Sequence, residues 1–132
     1  DVFAAVAPVS GLTLEWMYRD CDTPAPIPLF EIHGTEDRTS AWEGDLENRG
    51  GWGAYLPVEI AVGYWVAANR CVREQTDTLA LRRHPVVAHR FVGGTGGNEV
   101  WLYEVVDGGH SWAEKDMDTS EEIWRFFGRF VK

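Results

Sequence analysis

Cysteine is nearly missing from this 132-residue chain: only Cys21 and Cys71 occur, and their separation matches neither a zinc knuckle nor a C-x-x-C redox pair. One disulfide or two free thiols both remain open. Long hydrophobic runs are missing too. No segment approaches the roughly 20 apolar residues needed to span a bilayer, and the opening DVFAAVAPVSG lacks the basic start of a secretion signal, so no membrane partner is expected. Positive charge is scarce: 12 basic against 21 acidic residues give a formal charge of −9, which repels phosphate backbones and argues against a nucleic-acid partner. Repeats and low-complexity tracts are absent as well. The chain opens on Asp1 rather than Met, with residues typical of the middle of a fold, so a processed or truncated product is expected.

A hydrophobic fraction of 45%, including seven Trp, supplies a core for a single domain over residues 1–132. Residues 3–9 (FAAVAPV) and 28–33 (PLFEIH) are short apolar runs, the pattern of strands buried on both faces of a parallel sheet. The Pro- and Asp-rich stretch 20–28 predicts a turn, and residues 12–19 are ambiguous. Residues 35–55 are polar and Gly-rich, the signature of a functional loop. Pro57 suits the first position of a helix ending near 69–71, with Ile60, Tyr64, Ala67 and Cys71 along one face. Residues 86–92 and 100–106 flank GGTGGN and predict an antiparallel hairpin. Thr119 and Glu122 form a capping box before a helix whose Ile123, Phe126, Phe127 and Phe130 share a face.

In open α/β sheets the working residues gather at the carboxyl ends of strands. Three such ends are visible: Ser10-Gly11, HGTED at 33–37 and GGHSW at 108–112. A carboxylate and an imidazole on neighbouring strand ends can pair, the carboxylate fixing the ring's tautomer and stabilising its protonated form. Asp37 and His110 are the candidate pair. Each alone has a plainer reading, Asp37 as a turn former and His110 as a polar loop residue. Their order, acid then histidine, matches the triad order of serine hydrolases built on such sheets.

DVFAAVAPVSG, PIPLFEIHGTED, EVWLYEVVDGGHSW and TSEEIWRFFGRF together resemble consecutive blocks of the feruloyl esterase and polyhydroxybutyrate depolymerase family of α/β-hydrolase serine esterases. The resemblance spans nearly the whole chain. It implies the carboxyl-terminal half of an α/β-hydrolase fold, with the last three strands of a mainly parallel sheet, a hairpin strand and flanking helices. It further implies Asp37 as triad acid, His110 as general base, His33 as a structural histidine and no cofactor, with no role for His84 or His89. The implied substrates are aromatic or hydroxycinnamoyl esters, or polyesters such as polyhydroxyalkanoate, and the implied location is extracellular. A G-x-S-x-G elbow, where such esterases carry their nucleophile, does not occur among Ser10, Ser40, Ser111 and Ser120. Ser10, at a strand end, is the one substitute candidate, and weak or no autonomous esterase activity is expected. Two departures from the family stand out: the polar run Arg38-Thr39-Ser40-Ala41-Trp42 after Asp37, and Gly94 where a cysteine partner for Cys71 is common.

Trp42, Trp52 and Trp112 fall in loops near the proposed catalytic edge; Trp42 and Trp112 are the candidate rings for an aryl substrate, while Trp65, Trp101 and Trp124 read as core or interface. GGTGG at 93–97 lacks the following helix and Lys of a phosphate loop. A metal site from His33, Asp37 and His110 is geometrically conceivable but lacks the helical spacing of common zinc motifs, so no metal is expected and a metal-dependent hydrolase is the third reading. A non-catalytic module binding aromatic or polyester surfaces is the rival reading. An uncovered sheet edge at residues 3–9 implies a homo-oligomer.

Overall fold

The structure is a computed structural model and describes residues 2–21 and 24–131. Its elements run α1 (Glu15–Asp20), β1 (Leu29–Gly34), α2 (Val58–Asn69), β2 (Arg73–Leu79), β3 (Val86–Val92), a 3-10 turn at Thr95–Gly97, β4 (Val100–Val105) and α3 (Thr119–Phe127). The four strands form one sheet in the order β1-β4-β3-β2. Only the β1/β4 ladder is parallel; β3/β4 and β2/β3 are antiparallel.

This overturns the mainly parallel sheet of a truncated α/β-hydrolase. Two causes act together. Arg73–Leu79, REQTDTL, is a strand that hydrophobic patterning does not reveal, because as an edge strand it is exposed along nearly its whole length and needs no apolar face. It adds a second antiparallel ladder. Residues 6–10 do run parallel to β1, with bridges at Val6/Leu29 and Val9/Ile32, but they form no continuous strand. Pro8 lacks an N–H, and Ser10 turns away at a φ of 52°, so the pairing is broken into isolated contacts.

Strand β4 shows why its sequence is apolar throughout. Trp101, Tyr103 and Val105 face a core with Phe30, Ile32, Val86 and Phe126 on the α3 side, while Val100 and Leu102 face Leu29, Val58 and Val62 on the α2 side. Both faces are covered, so alternation disappears. Phe30 is fully buried amid the rings of Trp101, Tyr103 and Phe126, with centroids 4.6 to 5.5 Å away.

The helices need smaller corrections. Helix α2 begins after Pro57 and ends on Arg70 in the left-handed region, but it buries Val58, Val62 and Asn69 and leaves Ile60 half exposed. The face read from Ile60, Tyr64, Ala67 and Cys71 is therefore not the buried one; apolar residues encircle this helix, so periodicity selects no side. Helix α3 is capped one residue earlier than expected, by the Asp118 carboxylate accepting from Glu121 N. The Thr119 hydroxyl instead donates to the Trp112 carbonyl. The ambiguous stretch 12–19 leads into the short α1, Glu15–Asp20, which buries no side chain. The turn expected at 20–28 lies partly outside the described residues. Cys21 and Cys71 are both free thiols. No helix among the described residues is long and apolar enough to cross a membrane.

The outer part of the sheet is joined by charge. His89 places Nδ1 3.0 Å from Glu74 Oε1 on β2 and Nε2 3.0 Å from Glu104 Oε2 on β4. A ring donating to two carboxylates must carry both protons. Partial burial disfavours that charge, but the bonds to Glu104 and Glu74 outweigh it and hold the His89 pKa above its usual 6.5. A raised folded-state pKa gives stability that is complete below the unfolded value and lost as pH rises through the folded one. The stability gap between wild type and His89→Gln in urea melts is thus expected to narrow as pH rises through the window above about pH 6.5. A gap constant over that window would show that the ring is not charged.

Candidate functional site

The site is built where β1 and β4 end side by side. Their parallel register brings Gly34 opposite Val105, and the chain beyond each strand is stitched to the other. Thr35 N donates to the Val105 carbonyl at 3.0 Å, Glu36 N to the Gly108 carbonyl at 2.9 Å, and Asp107 N to Thr35 Oγ1 at 2.9 Å. Asp107 takes a φ of 58°, turning the chain sharply before Gly108-Gly109-His110. Glycine at 34 is required by proximity: a Cβ there would lie 2.2 Å from the Gly108 oxygen.

This stitching brings together the two residues singled out in the sequence, 73 positions apart. His110 Nδ1 donates to Asp37 Oδ2 at 2.9 Å. The Asp37 side chain is completely buried, whereas that of His110 is 45% exposed, so the carboxylate is fixed within the protein while the ring reaches the surface. Asp37 Oδ1 accepts from Thr39 N and Ser40 N, both at 2.8 Å. Here the polar run after Asp37 finds its use: its backbone amides hold the carboxylate in one orientation.

Behind Asp37 lies a pair that sequence reading did not connect to it. His33, 1% exposed, has Nε2 2.7 Å from the Ser40 carbonyl and 3.5 Å from Asp37 Oδ2, and Nδ1 2.8 Å from Glu31 Oε1. Glu31 is buried as well and also accepts from Gly11 N at 3.1 Å. Burial pushes the Glu31 carboxyl up, although His33 opposes this. The same burial pulls the His33 ring down, but Glu31 and the Ser40 carbonyl hold it above its ordinary value. The sequence did contain a signal. A charge at position 31, inside an apolar strand and two residues before a histidine on the same face, demands a buried partner.

The other candidates take different places. Ser10 donates its hydroxyl to the Ser111 carbonyl at 3.3 Å, next to His110 in the chain but not to its ring. Ser40 is buried, Ser111 caps Ala113 N, and Ser120 accepts from Trp112 Nε1. Among the described residues no hydroxyl bonds His110 Nε2. Trp112 is half exposed, and Trp42 packs edge-on against His33 with centroids 6.0 Å apart. Trp52 is exposed on its glycine loop. His110 lines an opening of about 210 Å³ whose walls include Arg83, His84, Lys115 and Asp116. His84 Nδ1 lies 2.8 Å from Asp116 Oδ1 there. Among the described residues, no group of three or more His, Cys, Asp or Glu is arranged to hold a metal ion.

A buried carboxylate on Nδ1 of an exposed imidazole equips Nε2 to take a proton from a hydroxyl and return it to a leaving group. Compared with models of known protein families and with curated proteins, the chain matches none.

Proposed function

We propose that Asp37 and His110 are the acid and general base of a carboxylic-ester hydrolase acting on aromatic or hydroxycinnamoyl esters or polyesters. The observation that carries this reading is the 2.9 Å bond from His110 Nδ1 to a fully buried Asp37, on a ring that is itself partly exposed and lines a solvent-facing cleft. In the mechanism, Nε2 removes the proton of a serine hydroxyl as that oxygen attacks the ester carbonyl. It then gives the proton to the departing alcohol, and in the second half activates water against the acyl-serine in the same way. Asp37 keeps the proton of the resting ring on Nδ1 and balances the imidazolium charge at each step. Trp112, half exposed and two residues beyond His110, provides a flat apolar face for an aryl group.

The serine is supplied by another polypeptide segment, since none of the four here addresses Nε2. The resemblance of HGTED and GGHSW to an esterase family supports the same division of roles.

The test is hydrolysis of a p-nitrophenyl ester. The chain alone is expected to work no faster than its His110→Ala variant, and adding a polypeptide that carries a G-x-S-x-G serine is expected to produce a rate that His110→Ala abolishes. A rate from the chain alone that requires Ser10 would relocate the nucleophile. Binding of an aryl ester with no turnover in any pairing would favour the non-catalytic module.

A further inference from the structure

Four ionisable side chains line up from the interior to the surface as Glu31, His33, Asp37 and His110, alternating carboxylate and imidazole. The hydrogen-bond inventory determines where their protons lie. The Ser40 carbonyl can only accept, so the His33 Nε2 that sits 2.7 Å from it carries a hydrogen. Nδ1 of the same ring faces Glu31 Oε1, which leaves two arrangements: imidazolium against carboxylate, or neutral ring against carboxylic acid. Oε1 also accepts from Gly11 N. A carboxylate oxygen receives two N–H donors well, whereas a hydroxyl oxygen donating to Nδ1 while accepting from Gly11 N is a weaker partner for both.

Among the described residues, Glu31 meets no counter-charge other than His33. Its carboxyl borders a cavity of about 110 Å³ lined mainly by apolar residues, and no cation lines that cavity. On the other side of His33, the ring meets Asp37 and the edge of Trp42. Glu104 stands opposite His33 in register on β4, but its carboxylate is engaged by His89.

We infer that Glu31 and His33 form a buried ion pair that positions Asp37 and sets the charge it presents to His110. This rests on the reading of Asp37 and His110 as a base pair, and deepens it. The His33 cation, 3.5 Å from Asp37 Oδ2, shares that oxygen with His110 and moderates its pull on the Nδ1 proton. Glu31 is the group that keeps His33 charged, so it acts on the site through two intermediaries without touching substrate.

The experiment is nitrogen-15 and proton NMR of the histidine rings in the full chain, which needs neither an added nucleophile nor ester turnover. In wild type both nitrogens of His33 are expected to remain protonated above about pH 6.5, where an ordinary histidine has lost its charge. In Glu31→Met, Nδ1 has no acceptor left, so His33 becomes neutral with its hydrogen on Nε2, where the Ser40 carbonyl accepts it. Asp37 then draws harder on His110, and the His110 Nδ1 proton moves downfield. A purely structural Glu31 would leave that proton where it is. A bare Nδ1 on His33 in wild type overturns the inference even should the variant fail to fold, and so does an unmoved or upfield His110 proton in a folded variant. Either result leaves the ester-hydrolase reading standing, and absence of turnover leaves the ring result standing.

Discussion

Asp37→Asn is expected to reduce kcat of the serine-complemented site on the order of 10⁴-fold while leaving the fold intact. The size follows from which oxygen is lost. Asn keeps a carbonyl oxygen, which takes the place of Oδ1 and still accepts from Thr39 N and Ser40 N. The amide nitrogen then falls at the Oδ2 position, 2.9 Å from His110 Nδ1, and it can only donate. His110 answers by moving its proton to Nε2, the nitrogen that has to be bare to act as base. The imidazolium formed during turnover also loses its counter-charge. The measurement is steady-state hydrolysis of a p-nitrophenyl ester beside the NMR tautomer of His110. A tautomer change with little loss of rate would remove Asp37 from the mechanism.

The same substitution acts inward as well. The amide would face the Nε2 hydrogen of His33 across 3.5 Å, donor against donor, so that ring loses one of its two neighbouring anions. Some stability is lost along with the rate. The circular dichroism spectrum should nonetheless be unchanged, because the two backbone bonds to residue 37 survive.

What the sequence makes legible depends on whether the cause is local. The β3/β4 hairpin is readable because Val86–Val92 and Val100–Val105 are β-rich segments bounded by a glycine-rich turn. Helix α3 is readable because its apolar residues occupy one stripe, with Phe126 fully buried. Strand β2 is hidden for the opposite reason: exposed and polar, it is recruited by its neighbour β3 rather than by burial of its own side chains. The sheet becomes mostly antiparallel because β2 adds a ladder that patterning hides, while residues 6–10, although parallel to β1, are reduced by Pro8 to isolated bridges.

The candidate site divides in the same way. Asp37 and His110 stand out because each follows the carboxyl end of a strand, where working residues gather in open α/β sheets. Glu31 does not, since its importance comes from a ring two residues along the strand and from Gly11, 20 positions away. Ser10 shows the limit of position alone. It reads as a strand end in the sequence, but the stretch before it forms only isolated bridges to β1, and its hydroxyl is directed to the Ser111 carbonyl.

Gly34→Ala is expected to destabilise the chain by about 3 kcal/mol or more and to separate Asp37 from His110. A Cβ at residue 34 would sit 2.2 Å from the Gly108 oxygen, 2.4 Å from its carbonyl carbon and 2.6 Å from the Gly109 oxygen. These are backbone atoms, and no rotamer change moves them aside. The neighbouring bonds from Thr35 N to Val105 and from Glu36 N to Gly108 anchor the same stretch, so relief requires parting the two strand ends. That parting lengthens the bond from Asp37 to His110, because each residue is carried on one side of the contact. Gly109→Ala is the matched control: it adjoins His110, but an added Cβ there meets nothing within 4 Å. Its stability is expected to stay within about 0.5 kcal/mol of wild type. Urea denaturation of both variants decides the matter, and equal midpoints would mean that the close approach at Gly34 does not hold the site together.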